Sequence, residues 1–106
     1  FHDCSSLVEL NLKNVTSLGN GVFQGCKSLM QVELGEVNEI PDYCFDACSS
    51  LTNIKLDHVT RIGYGAFKGC RSLNNIRTDN IISIGEHGFS GCSALNNINL
   101  EKVETL

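Results

Sequence analysis

The chain has 106 residues, of which eight are Lys or Arg and twelve are Asp or Glu, giving a formal net charge of −4 at pH 7. Because acidic residues exceed basic ones, the sequence predicts no positively charged surface for nucleic acid, and no nucleic-acid partner is predicted. No stretch approaches the roughly 18 apolar residues of a membrane-spanning helix, and no membrane insertion is predicted. Hydrophobic residues make up 42% of the sequence, which is enough to build a core.

A repeat of 22 residues runs through the chain without insertion or deletion. We call each set of positions spaced by 22 residues a column. One column is entirely phenylalanine: Phe1, Phe23, Phe45, Phe67 and Phe89. A second is entirely cysteine: Cys4, Cys26, Cys48, Cys70 and Cys92. Leucine fills a third, and three further columns are apolar throughout. The register is too regular to arise by chance, and it predicts a repeat architecture.

Each repeat predicts the same elements in the same order. An apolar run that alternates in its second half, as in Ile54-Lys55-Leu56, predicts a half-buried strand. In chain order these strands are predicted at Leu7–Leu12, Leu29–Leu34, Leu51–Leu56, Leu73–Thr78 and Leu95–Leu100. A second short extended piece follows each strand. A segment with several glycines comes next. Its apolar residues, such as those at 66, 67 and 70, have the spacing of a helical or 3₁₀ turn.

One repeat cannot bury its apolar face alone, so successive repeats are expected to stack and share a continuous core. The predicted fold class is therefore an α/β solenoid, a right-handed superhelix of about five coils of 22 residues each. Its strands would form one curved parallel sheet, and the helical turns would form the opposite face. Residues 1–106 are treated as one domain.

The segment 62–76 carries a recognisable pattern. It reads IGxxAFxGCxSLxxI, and it resembles, position by position, the BspA-like (treponemal-type) class of leucine-rich repeat. The resemblance covers the whole chain, with departures from the pattern at Asp3, Pro41, Ala47 and Thr78 that leave the register intact. It implies a leucine-rich-repeat superhelix at the cell surface or in a secreted protein, and therefore an extracellular location.

The cysteine column is predicted to be an inward-pointing row of free thiols with a packing role. Stacking would place these thiols about 5 Å apart. Parallel side chains lack the converging Cβ vectors of a disulfide, and a straight row cannot surround a tetrahedral zinc ion. Cys44 lies outside the column and is also predicted to be core, with a local pairing to Cys48 left open.

The sequence gives no sign of an enzyme. No nucleophile, base and orienting residue fall together, and the glycines do not form a phosphate-binding loop. No cofactor and no metal site are predicted. Acidic residues share one column just after the strand, at Asp57, Asp79 and Glu101, which leaves a cation site conceivable there.

The outward positions of the predicted strands vary in charge and shape, whereas the core columns repeat nearly identical residues. These candidate partner-binding residues are Glu9, Asn11, Gln31, Glu33, Asn53, Lys55, Asn75, Arg77, Asn97 and Asn99. Such a polar concave face predicts a non-enzymatic binding or adhesion module for a protein or glycan ligand. A purely structural spacer between other domains is the alternative. Asn14 heads a sequon, Asn14-Val15-Thr16, and is a possible glycosylation site.

Both ends of the sequence fall on core columns, at Phe1 and Leu106. Solenoids need capping repeats with a polar outer face, and neither end carries one. We therefore expect the sequence to be a fragment of a longer repeat array whose caps are missing. We also expect the isolated chain to self-associate end to end.

Overall fold

The computed structural model describes residues 3–74, 76–77 and 79–95. In chain order the strands are β1 (Glu9–Leu12), β2 (Gln31–Leu34), β3 (Glu39–Ile40), β4 (Asn53–Ile54), β5 (Arg61–Ile62) and β6 (Ser83–Ile84). The strands β1, β2 and β4 are shorter than the strands predicted at those places. Leu7, Leu29 and Leu51 belong to the preceding turn, because their backbone N–H groups donate to the carbonyls of Cys4, Cys26 and Cys48.

The strands pair in parallel and one repeat apart, as the register predicts. Leu10 lies opposite Val32, and Val32 lies opposite Ile54. In the same way Ile40 lies opposite Ile62, and Ile62 lies opposite Ile84. The repeat is therefore one coil of a solenoid. The right-handed sense and the curvature of that solenoid stay predictions.

The prediction of one parallel sheet is wrong, because the strands form two. The first sheet has the order β1-β2-β4 and the second has the order β3-β5-β6. The second sheet arises from the short extended piece of each repeat, whose residues also pair from coil to coil. Within the predicted strand Leu73–Thr78 no described residue is in a strand, and Leu95–Leu100 lies outside the described residues except for Leu95.

The prediction of helical turns is also wrong, because the described residues contain no helix. In this part of the chain the fold is therefore a solenoid of strands and turns, without the predicted α component. Consecutive turns take its place. Two positions in each of the four later turn segments have a positive φ, for example Gly21 at 63° and Gly25 at 77°. These left-handed residues interrupt a helix and direct alternate N–H groups to the next coil. The N–H groups of Gly21, Phe23 and Gly25 accordingly donate to the carbonyls at 42, 44 and 46.

The predicted apolar columns form the core. Phe45, Leu51 and Ile40 are fully buried, and Ile54 is 1% exposed. The phenylalanine column is a stack whose successive ring centroids lie 5.5 Å, 5.4 Å and 5.4 Å apart, from Phe23 to Phe89. The predicted aromatic stack is confirmed within the described residues, where Phe23, Phe45 and Phe67 are buried and Phe89 is partly buried.

The cysteine column also lies inside, with Cys26, Cys48 and Cys70 fully buried and Cys4 and Cys92 half-buried. All six cysteines are free thiols. Three thiols of the column have a hydrogen-bond partner in the preceding coil. The Sγ atoms of Cys48, Cys70 and Cys92 donate to the carbonyls of Phe23, Phe45 and Phe67 at 3.1–3.2 Å. The cysteines therefore link neighbouring coils as well as filling space.

Candidate functional site

The outer face of the first sheet gathers polar side chains into ordered rows. Parallel pairing one repeat apart aligns Glu9 with Gln31 and Gln31 with Asn53. Asn11 and Glu33 are aligned in the next row. Leu10, Val32 and Ile54 alternate with them and point into the core cluster. The alternation of the strand pattern thus holds, and it turns these polar side chains outward.

A groove with a volume of about 810 Å³ runs over this face. Six of the predicted residues line it: Glu9, Asn11, Gln31, Glu33, Asn53 and Lys55. Arg77 lines an adjoining depression of about 430 Å³ that shares Asn53 and Lys55 with the groove. The other three predicted residues, Asn75, Asn97 and Asn99, lie outside the described residues. The structure therefore brings the seven described candidates into one continuous surface.

Three further polar residues line the groove, Glu36, Asp57 and His58, and the sequence pattern did not predict them as partner-binding residues. They come from the turns that follow the strands, where no alternation exists to indicate direction. The amide of Asn80 holds one of these turns by donating to the Asp57 carbonyl at 2.7 Å. Gly35 allows another turn to approach closely, because a Cβ there would overlap the Lys13 carbonyl oxygen.

Charge is distributed unevenly along the groove. The first two coils contribute three carboxylates, on Glu9, Glu33 and Glu36, whereas the third and fourth coils contribute Lys55 and Arg77 beside Asp57. Lys13 Nζ lies 3.3 Å from Glu33 Oε1, but both side chains are more than half exposed, so solvent weakens this pair. The groove therefore has an acidic end and a more basic end, with amides between them.

The described residues offer little for catalysis. No group of three or more His, Cys, Asp or Glu side chains in that part of the chain could hold a metal ion. Cys48 and Cys92 are poor nucleophiles, because burial raises the pKa of Cys48 to about 12 and that of Cys92 to about 11. Among the same residues, no helix has the length and apolar character needed to cross a membrane.

Asn14 lies in an exposed turn directly after β1. The turn is closed by the Val15 N–H, which donates to the Leu12 carbonyl at 3.0 Å. The side chain is accessible, and its glycosylation stays a prediction.

Comparison with known proteins agrees with this architecture. Residues 1–96 match the family model described as the BspA type leucine rich repeat region (6 copies). The chain belongs to the BspA-type leucine-rich-repeat family. No curated protein matches it.

Two solved structures are similar to the chain. One is a leucine rich cell surface protein from Faecalibacterium prausnitzii A2-165, with 35% identity and a TM-score of 0.80 over 88% of this chain and 26% of that protein. The other is a leucine-rich repeat protein from Bacteroides ovatus ATCC 8483, with 23% identity and a TM-score of 0.71 over 92% of this chain and 32% of that protein. The chain thus spans about a quarter to a third of the length of these proteins, and it is a leucine-rich-repeat module of the kind found in a cell-surface protein.

Proposed function

We propose that this chain is a non-enzymatic binding module of an extracellular or cell-surface protein, and that it holds an extended protein segment in the groove over the first sheet. The observation that carries this proposal is the convergence of seven variable, outward side chains on one polar surface. A relative that is 35% identical over most of this chain is described as a cell surface protein, which supports the location.

The chemistry of the groove favours a peptide over a compact apolar ligand. Amide side chains such as Gln31 and Asn53 both donate and accept hydrogen bonds, as a peptide backbone requires. The groove is open and polar, and solenoids present such faces to extended partners. Its uneven charge favours one orientation, with basic partner residues near Glu33 and acidic ones near Arg77.

The test is selection of a randomised peptide library on the immobilised chain. We expect enriched peptides to carry basic residues toward one end and acidic residues toward the other. Gln31→Arg should weaken their binding by at least about tenfold, because it places a bulky cation in the middle of the groove. Glu39→Arg is the matched control, since Glu39 is an exposed, outward residue of a strand in the second sheet.

Equal loss of binding in both variants would contradict the proposal. A structural spacer predicts a different result: no peptide is enriched above an unrelated protein surface. A glycan-binding module predicts no enriched peptide either, but saturable binding to a glycan array that Gln31→Arg removes.

A further inference from the structure

A second surface of the molecule carries three exposed ring side chains in contact. Tyr43, Tyr64 and His87 come from three successive coils, and we call them the aromatic strip. The ring centroids of Tyr43 and Tyr64 lie 5.4 Å apart, and those of Tyr64 and His87 lie 5.7 Å apart, both edge to face. None of the three lines the groove over the first sheet.

The backbone under the strip is strained to place two of these rings. Tyr43 has a φ of 57° and His87 a φ of 61°, in the left-handed region that favours glycine. The equivalent residues of the other coils are Gly21 and Gly65, at 63° and 60°. A ring at such a position costs stability, and these two rings do not recover it by full burial, since Tyr43 is 36% exposed and the His87 side chain is 47% exposed. Residues kept in sparsely populated conformations are often functional.

Carboxylates surround the strip. Asp42 and Glu86 occupy the positions equivalent to Tyr64 in the coils before and after it. Asp42 accepts a hydrogen bond from the Tyr64 N–H at 2.9 Å, Glu86 lies 3.7 Å from the His87 ring nitrogen, and Asp46 accepts from the Gln24 amide at 2.8 Å. Lys68 follows Asp46 in its column and is a cation. The three carboxylates named here therefore outnumber this one positive charge.

The electrostatics of Tyr43 agree with this arrangement. Desolvation raises the pKa of the Tyr43 hydroxyl most, and Tyr64, Asp46 and Asp42 each raise it further. All three neighbours act in the same direction because they disfavour a phenolate beside them. The surroundings of the strip are therefore electronegative, and the faces of its aromatic rings carry the negative side of the quadrupole.

We infer that the aromatic strip is a second binding surface, for an arginine side chain of a protein partner. A guanidinium stacks flat on an aromatic ring and, in the same pose, donates paired hydrogen bonds to a carboxylate. Tyr64 offers the ring, and Asp42 and Glu86 offer carboxylates on either side of it. This site is independent of the proposed groove and does not require it.

The chain supplies its own reporter for the test. It has no tryptophan and two tyrosines, and both tyrosines lie in the strip. Tyrosine fluorescence can therefore be followed while the peptide Gly-Arg-Gly-Arg-Gly, blocked at both ends, is titrated into the intact chain. We expect a saturable change, and a much weaker response to the same peptide with citrulline in place of arginine, because citrulline keeps the shape and loses the charge.

Two variants should weaken arginine-peptide binding. Tyr64→Leu removes the central ring and keeps every charge, and we expect a loss of about two- to fivefold, the size of an exposed cation–π contact. Tyr43 remains as the reporter in that variant. Asp42→Asn combined with Glu86→Gln keeps the oxygen that accepts the Tyr64 N–H, and we expect a similar loss.

The matched control removes two exposed carboxylates that line neither the strip nor the groove, Glu39→Gln with Asp79→Asn, and should change binding by less than about twofold. Equal responses to the arginine and citrulline peptides would overturn the inference. So would equal losses in the control and in the Asp42/Glu86 variant, which would indicate general attraction to an acidic protein. A fluorescence response to a neutral oligosaccharide but not to the arginine peptide would assign the strip to sugars and overturn it as well.

Discussion

Ala47 occupies a position where three of the other coils have glycine. Its φ is 63°, and Gly25, Gly69 and Gly91 in the same column have φ values of 75–77°. The left-handed conformation brings the Cβ of an L residue close to the following carbonyl oxygen, a contact that glycine avoids. The departure from the repeat pattern at Ala47 therefore carries a local strain that the sequence alone does not reveal.

We expect Ala47→Gly to stabilise the chain by about 1 kcal/mol. The relief of backbone strain in the folded chain exceeds the destabilisation that results because glycine gives the unfolded chain more conformational entropy. Gly69→Ala should destabilise it by about the same amount. A Cβ at Gly69 would lie 3.6 Å from the Ala47 Cα, an ordinary contact, so the effect there is conformational. Urea unfolding of both variants measures the two free energies. A stabilising Gly69→Ala would contradict this explanation.

The cysteine row shows how a column of identical residues acts as an element. The thiols of Cys48, Cys70 and Cys92 each donate to a phenylalanine carbonyl of the preceding coil. These carbonyls also accept a backbone N–H, as the Phe45 carbonyl does from Cys48. Burial, and after it the neighbouring Cys26, raise the pKa of Cys48 from 9.0 to about 12. The row therefore depends on protonated thiols.

Alkaline pH should destabilise the fold. The unfolded chain releases a thiol proton near pH 9, whereas folded Cys48 retains it to about pH 12. Stability from the neutral thiol is thus complete below about pH 9 and is lost as pH rises toward the folded value. The slope is about 1.4 kcal/mol per pH unit for each such thiol.

Urea midpoints measured from pH 8 to pH 11 test this expectation. The midpoint should fall steeply above about pH 9, and Cys48→Ala should make the slope shallower, whatever its effect on stability at neutral pH. A parallel decline in the two proteins would show that Cys48 does not contribute.

At the scale of the whole molecule, apolar residues of the first coil are less buried than those of the second. Cys4, Leu7 and Leu10 are half-buried, whereas the equivalent Cys26, Leu29 and Val32 are buried. Each coil covers the apolar face of its neighbour, so a coil with one neighbour leaves part of that face open. Exposed apolar surface of this kind promotes association.

We therefore expect the 106-residue chain to self-associate end to end. Sedimentation velocity should show a coefficient that rises with concentration. Leu7→Glu places a charge on the open face and should suppress this rise, while Val8→Glu, at an exposed neighbouring position, should not. A monomer at every concentration, with a sharp cooperative melt, would contradict the prediction.

The 22-residue spacing by itself determined most of the architecture. It places equivalent residues one strand spacing apart, so the parallel register, the phenylalanine stack and the buried cysteines follow from the columns alone. Alternation around Leu10 and Val32 likewise determined which side chains of the first sheet face outward. Each of these features follows from a period that can be read in the sequence, either the 22-residue repeat or the two-residue alternation of a strand.

Tertiary structure decided the features that depend on backbone dihedrals and on contacts between different columns. Apolar spacing at Phe67 and Cys70 suits a helical turn, but the left-handed residues at 65 and 69 send N–H groups to the next coil and exclude a helix. The second sheet formed because residues such as Ile40 and Ile62 pair only when the coils stack. The aromatic strip has the same origin: Tyr43 and Tyr64 are neither neighbours in sequence nor members of one column, and stacking brings their rings together.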